Sequence, residues 1–323
     1  MTTSASAMMK KVEQYLAHKR SRGYIMEQGG EQLRSFARYA DLHAFAGPLT
    51  VDMAVRWATS PKKSQRAYHA QRLIYMRGFA RYLAVFDPRT EIPPQRLLGT
   101  SYTRVPPYIY TRREITALIR DVLADPLSQE HHAYPGVQNA TLIGLLACTG
   151  MRIGEALALK NRDVDLGQNV ITVHQSKNLP TRLVPISGSA SRHLLQYRKV
   201  RDQRLGNTED SDAFIRSIHG SHVPCCLIRQ AFSRSRERVG LVDVARRKPR
   251  LYDLRHTFAC NHLLRAYREN RDIDNAVHDL SIYLGHADIN STYWYISAVP
   301  ALLELCSKRS EEHGLRLRKG GLL

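Results

Sequence analysis

The side chains in this sequence that could do chemistry are cationic and phenolic, with no sign of a metal-binding set. Fourteen histidines form no HExxH-type cluster, the five cysteines contain no CxxC pair, and Cys225 and Cys226 are adjacent. An odd cysteine count without scaffold spacing reads as reduced thiols packed as small apolar residues. Arg152 stands at a predicted helix start, where unpaired backbone N–H groups favour an anion, and Glu155 follows three residues later on the same face. Toward the C-terminus, Tyr293 and Tyr295 stand two residues apart; on a helix their phenols point about 200° apart, so they cannot share a site. Phenol, guanidinium and lysine side chains fit attack on a phosphate ester. That reaction needs a nucleophile, positive groups on the non-bridging oxygens and an acid for the leaving oxygen. Each residue alone also has an ordinary reading. With 48 basic residues a single arginine is by default a solvated contact, and Glu155 a surface acid.

The charge says what such a chain would meet. Forty-eight Lys and Arg against 29 Asp and Glu give +19 over 323 residues, with 43% hydrophobic and 24% charged residues. Residues 1–100 carry 16 basic and 7 acidic residues, net +9, and the remainder 32 and 22, net +10. Both halves are basic, so the chain seeks a polyanion over its whole length, and counterion release from phosphates would supply much of the affinity. The longest nearly uninterrupted apolar stretch, Leu142 to Cys148, is far shorter than the ~20 residues that span a bilayer. The opening MTTSASAMMKKVEQ lacks the apolar centre of a secretory signal, so no membrane association is expected and the chain is read as cytoplasmic.

The elements that must carry these residues fall into two groups. Met8, Val12, Tyr15, Leu16 and Lys19 recur at helical spacing, and Leu33, Phe36, Ala37 and Ala40 form a second helix. Gly47-Pro48 breaks the pattern, Thr50 caps a third helix over 51–57, and a fourth uses Ala67, Ala70, Leu73, Ile74, Arg77, Arg81 and Phe86. Residues 1–86 therefore read as a small helical domain. Pro88, Pro93, Pro94, Pro106 and Pro107 make 87–110 an extended linker. The second domain, 111–323, opens on a capping box of Thr111 and Glu114 before the apolar face Ile115, Leu118, Ile119, Val122 and Leu123. A buried helix over 140–147, a Thr149-Gly150 turn and a helix over 153–159 follow; residues 169–174 and 182–186 then read as a β-hairpin. Helices resume after Ser187. The fold class is mainly α with a small β-sheet (α+β) and shows no solenoid repeat.

Four segments of the second domain, CTGMRIGEALAL, SKNLPTRLVPI, LYDLRHTFA and YLGHADINSTYWYI, resemble in order and content the signature blocks of the tyrosine recombinases, the phage-integrase and Xer-like group. The resemblance spans roughly residues 111–300 and implies a catalytic domain there, preceded by a helical core-binding domain that closes on DNA as a clamp. It implies Arg152 and Arg255 as the phosphate-binding pair and Glu155 as a supporting carboxylate. Lys177, in the hairpin turn before the strand Arg182 to Ile186, falls where the family keeps its general-acid lysine. His286 matches a position that contacts the scissile phosphate, and Tyr295, nine residues on, matches the nucleophile in preference to Tyr293. The implied reaction forms a 3′-phosphotyrosyl link and needs neither metal nor cofactor.

Two features depart from the family. Tyr252 stands three residues before Arg255, where the family commonly has histidine; a phenol donates a hydrogen bond but is a poor proton shuttle near neutral pH. Thirty-one residues separate Arg255 from His286, and the excess, AYRENRDIDNAVHD, is expected to be a loop or an extended helix. The implied partners are double-stranded DNA carrying specific recombination sites and further copies of the chain, four in all, with accessory proteins left open. The implied setting is the bacterial nucleoid and the movement of a mobile element. The tail after Tyr295 places Val299, Leu302, Leu303 and Cys306 on one face and ends in Arg316, Arg318 and Lys319, a docking helix either for a neighbour or for its own domain. A type IB topoisomerase and a non-catalytic DNA-binding relative are the competing readings. The charge of the first hundred residues makes a direct expectation. A fragment beginning at Thr111 should bind duplex DNA more weakly, and its log–log salt slope should be shallower by about 0.9 for every phosphate that the missing residues would have neutralised. An unchanged slope in a salt titration would show that the N-terminal basic residues never meet the backbone.

Overall fold

The computed structural model describes residues 6–45, 47–62, 64–101, 106–125, 134–174, 181–206, 208–219, 222–242, 248–286, 288–298 and 304, with 296–298 as backbone. The chain divides into two compact units, Met1–Val105 and Pro106–Leu323.

The first unit contains α1 (Ala7–Ser21), α2 (Glu27–Leu42), α3 (Val51–Thr59) and α4 (Arg66–Leu83). Ser6 and Thr50 cap α1 and α3 by accepting from the backbone N–H groups of Met9 and Met53. Leu16, Leu33, Phe36, Trp57, Met76 and Phe79 form the core. The face expected of α4 is only partly right. Ala70 and Leu73 are buried, but the stripe continues through Met76, Phe79, Ala80 and Leu83, while Ile74 and Phe86 are exposed. Both stripes begin alike, and the bulk of Met76 and Phe79 decides which turns inward. Arg77 donates from Nε and Nη2 to the carbonyls of Pro93 and Pro94 at 2.9 and 2.8 Å, and Glu91 accepts from the Val51 N–H at 2.7 Å. The proline-rich segment is thereby tied to its own unit.

The second unit begins with α5 (Arg112–Leu123), opened by the expected capping box. Thr111 Oγ1 accepts from the Glu114 N–H at 3.2 Å, and the Glu114 carboxylate accepts from the Thr111 N–H at 2.7 Å. Helix α6 (Tyr134–Thr149) is buried on nearly every side because α5, α8 (Gly188–Leu205) and α10 (Asp253–Arg268) all pack on it. After the short α7 (Ile153–Ala158) comes an antiparallel sheet in the order β1 (Val164–Asp165), β2 (Val170–Val173), β3 (Arg182–Pro185). The hairpin was legible from its β-branched runs; two-residue β1 was not. Helices α9 (Cys225–Arg238), α11 (Ile273–Leu284) and α12 (Asn290–Ala298) complete the described residues. Among these, no helix is long and apolar enough to cross a membrane. The architecture is mainly α with one small sheet, as expected.

Residues 266–279 are neither a loop nor one extended helix. They finish α10, turn over 269–272 and start α11, whose first turn is capped by the Asp272 side chain accepting from the Asn275 N–H at 3.1 Å. Alanines 259, 266 and 276 with Cys260, Leu263, Val277 and Leu280 let the two helices pack closely, so apolar spacing outweighs the local charge. The C-terminal tail beyond Ala298, where a docking helix was expected, lies outside the described residues apart from Glu304.

Gly150 joins α6 to α7 at φ +64°, and a Cβ there would lie 2.6 Å from Phe258 Cδ1 and 3.1 Å from Leu284 Cδ2. Both the backbone and the space require glycine. Gly150→Ala should lower stability by about 1–3 kcal/mol or more, read as a fall in the urea midpoint at unchanged m.

Candidate active site

Three arginines from separate elements converge on the carboxyl end of α11. A helix end leaves its last carbonyls without intrahelical donors, and those oxygens carry the negative pole of the helix. Arg182, on β3, donates from Nε to the Tyr283 carbonyl at 2.8 Å. Arg255, in the first turns of α10, donates from Nη2 to the Leu284 carbonyl at 2.8 Å and from Nη1 to the Gly150 carbonyl at 2.8 Å. Arg152, immediately before α7, donates from Nη2 to the Gly285 carbonyl at 2.9 Å. Gly285 ends α11 in the left-handed conformation at φ +65°, which turns its carbonyl outward to that guanidinium.

One carboxylate serves two of the three. Glu155 accepts from the Arg152 N–H at 2.9 Å and Nη1 at 2.7 Å, and from Arg182 Nη2 at 2.7 Å and Nη1 at 3.2 Å. Burial pushes its carboxyl pKa up, but hydrogen bonds and charge from Arg182 and Arg152 override that and hold it below the usual range. Arg255 has no carboxylate within ion-pair distance among the described residues, and its Nε makes no hydrogen bond there, although the Tyr295 phenol is close enough to feel its charge. Its own pKa is lowered by burial and by Arg152. Three guanidiniums against one carboxylate leave the pocket with excess positive charge, which favours an anion carrying several acceptor oxygens.

The aromatic residues lie against this cluster. Tyr295 is 2% exposed, with its ring centroid 5.3 Å from His256 and 6.2 Å from His286. Burial pushes its phenol up to about 12, opposed by Arg255. Tyr293 is 39% exposed and donates to Asp274 Oδ1 at 3.0 Å, turned away from the arginines as helical geometry requires. His286 follows Gly285, with Nδ1 2.7 Å from Thr292 Oγ1. Tyr252 is half-exposed, its ring centroid 5.0 Å from His256.

Of the residues singled out in the sequence, Arg152, Glu155, Arg255, His286 and Tyr295 come together, and Tyr252 stands at the edge. Lys177 lies outside the described residues; the strand that follows it, β3, brings Arg182 to the cluster. Arg182 was the residue missed. Its signal was present: on a strand it shares a face with Val184 and Ile186, both buried, so it had to point inward. Thr292 was missed as well, and no local pattern marks it; His256, which directly follows Arg255 in the LYDLRHTFA block, was given no role, and its ring packs against Tyr252 and Tyr295.

The pattern of the phage integrase family matches residues 119–301. The protein y4rB of Sinorhizobium fredii, whose name marks it as a proposed integrase/recombinase, is 34% identical over 308 residues, covering 95% of this chain and 98% of its own. Tyrosine recombinase XerC of Herpetosiphon aurantiacus is 26% identical over 306 residues, covering 89% and 90% of the two chains. Among solved structures, the Tn1549 transposon integrase in complex with transposon right end DNA shares the fold. Its TM-score is 0.67 at 15% identity, over 94% of this chain and 98% of that one.

The charge of the pocket has a titration consequence. Burial first, then Arg255, Arg152, His256 and Arg182, lower the His286 pKa to about 4. Between that value and the ordinary ~6.5 the unfolded chain binds the extra proton, so this contribution to stability is present above pH ~6.5 and lost as pH falls toward 4. Urea midpoints of the wild type should fall more steeply across that window than those of His286→Gln. Equal slopes would show that His286 titrates normally.

Proposed function

The chain belongs to the phage integrase family, and from that premise we propose that it is a site-specific DNA recombinase whose nucleophile is Tyr295. The observation that carries this reading is the buried Tyr295 phenol beside Arg255, one of three clustered guanidiniums that a single carboxylate offsets among the described residues. Arg152 and Arg255 would bind the non-bridging oxygens of the scissile phosphate, each with donors left over after its carbonyl bonds. Glu155 and Arg182 would hold Arg152 in place, since every Arg182 nitrogen already donates within the protein. His286 and Tyr252 would donate further hydrogen bonds to phosphate.

In the first step a bond forms between the Tyr295 oxygen and phosphorus, the bond from phosphorus to the 5′ oxygen breaks, and the phenolic proton passes to water. The leaving oxygen takes a proton from Lys177. A 5′ hydroxyl from the partner strand then attacks the 3′-phosphotyrosyl link, its proton returning to Lys177, while the bond from phosphorus to the Tyr295 oxygen breaks and that oxygen takes a proton from water, which restores both the backbone and the phenol. One ester replaces another at each step, so no external energy source is consumed. Each chain supplies one nucleophile, and exchanging both strands of two duplexes requires four cleavages, hence four protomers. The basic helical domain of residues 1–86, within the first unit, would serve as the other arm of a DNA clamp, with 87–110 leading from it to the catalytic domain. The full-length likeness to a relative named for integration supports the movement of mobile DNA as the setting, on the DNA of a bacterial cell.

Nicked duplexes drawn from the DNA flanking the coding sequence are the substrate for the test. Tyr295→Phe should bind them normally and form no covalent adduct, whereas Tyr293→Phe should still be trapped. The reverse result would move the nucleophile. Lys177→Ala should cleave roughly 100-fold more slowly or worse, and sulfur at the bridging 5′ position should restore it, because a thiolate leaves without a proton. Arg152→Ala should not be rescued in this way. Resolution of a Holliday junction is expected; relaxation of single duplexes without strand exchange would instead make the enzyme a topoisomerase.

A further inference from the structure

The two ring nitrogens of His286 have different surroundings. Nδ1 lies 2.7 Å from Thr292 Oγ1 and is the only hydrogen-bond partner of that hydroxyl among the described residues. Thr292 is 0% exposed, so water does not reach it, and no described backbone carbonyl accepts from it, the usual recourse of a helical threonine. Nε2 makes no hydrogen bond among the described residues, on a ring that is half-buried beside the arginines. With its pKa lowered to about 4, the ring is neutral near pH 7 and carries a single N–H.

The position of that hydrogen follows from counting donors. A proton on Nδ1 would be donated to Oγ1, and the hydroxyl's own hydrogen would then be buried without an acceptor. A hydroxyl that donates to Nδ1 leaves no hydrogen stranded and puts the ring's proton on Nε2. A histidine's free nitrogen takes its role from the bond made by the other.

We infer that Thr292 is a positioning residue that donates to His286 Nδ1 and holds the ring as the Nε2–H tautomer, a hydrogen-bond donor to phosphate and not an acceptor for the Tyr295 proton. The functional half of this inference rests on the proposed recombinase reading; the tautomer does not. Thr292 lies three residues before Tyr295, so the helix that carries the nucleophile also orients the histidine.

The test uses the full chain labelled with 15N-histidine, free of DNA, at pH 7. A long-range 15N–1H correlation distinguishes the tautomers, and the spectrum of His286→Gln identifies the ring. The expected result is a protonated Nε2 and a bare Nδ1 in the wild type and in Thr292→Ser. In Thr292→Val, which keeps the shape and removes the hydroxyl, the Nδ1–H form should appear. A wild-type ring protonated on Nδ1 overturns the inference, and that result needs no variant to fold. An unchanged Nε2–H ring in Thr292→Val also overturns it. Covalent-adduct formation on nicked DNA gives the kinetic arm. Thr292→Val should slow it by about 10-fold or more at unchanged DNA affinity, while Thr292→Ser stays near wild type. In a His286→Gln background Thr292→Val should cost nothing further, and an added loss there would show that Thr292 acts through α12 and not through His286. A tautomer that shifts in Thr292→Val with no change in rate would support the tautomer assignment and overturn the role proposed for His286 at the phosphate.

Discussion

Holding three guanidiniums close together without neutralising them is the constraint on which the second unit is built. Like charges at such range repel, and a carboxylate for each would remove the field that an anion site needs. The fold uses backbone carbonyls instead. The last oxygens of α11 carry only partial charge, so they orient Arg182, Arg255 and Arg152 at 2.8–2.9 Å while leaving most of the positive potential in place. Among the described residues Glu155 is the one carboxylate paired with these arginines, and Arg182 and Arg152 share it. The requirement reaches back to Gly150, whose carbonyl holds Arg255 and whose missing Cβ makes room for Phe258.

Burial and this field act in opposite directions on Tyr295 and in the same direction on His286. Desolvation raises the Tyr295 phenol and Arg255 lowers it, with burial the larger. For His286 desolvation and the arginines both favour the neutral ring. A phosphate in the pocket would offset part of the cationic field, so the arginines are best suited to stabilising charge on the phosphate as it reacts.

Local signals in the sequence were read correctly wherever the physics was local. The Thr111 capping box, the Thr50 cap, the β-hairpin and the opposed phenols of Tyr293 and Tyr295 follow from spacing of four residues or fewer or from β-branched runs. Errors came where a distant partner decides. The inward face of α4 is selected by Phe36 and Trp57 on other helices, which favour Met76 and Phe79 over Ile74. Residues 266–279 were expected to be a loop or an extended helix, yet their charges line the outside of a close helix pair whose contact is made by alanines with Cys260, Leu263, Val277 and Leu280. Arg182 was passed over because a strand arginine is usually solvated; the buried acid it meets, Glu155, lies 27 residues away in sequence. Thr292 could not be found from the sequence at all, since its significance depends on the turn that returns His286 to it.

Helix α12 shows how tightly these choices are coupled. Thr292 points inward to His286 just beyond the end of α11, and Tyr293, the next residue, points outward to Asp274 in the first turn of the same helix. The two hydrogen bonds leave α12 about 100° apart and lie near opposite ends of α11, so together they fix both its rotation and its position along its neighbour. That rotation puts Tyr295 against Arg255 and not in solvent. It also leaves the phenol almost completely covered. The exposed Tyr293–Asp274 bond is the cheaper of the two to break, because water can replace each partner, whereas parting Thr292 from His286 strands a buried hydroxyl.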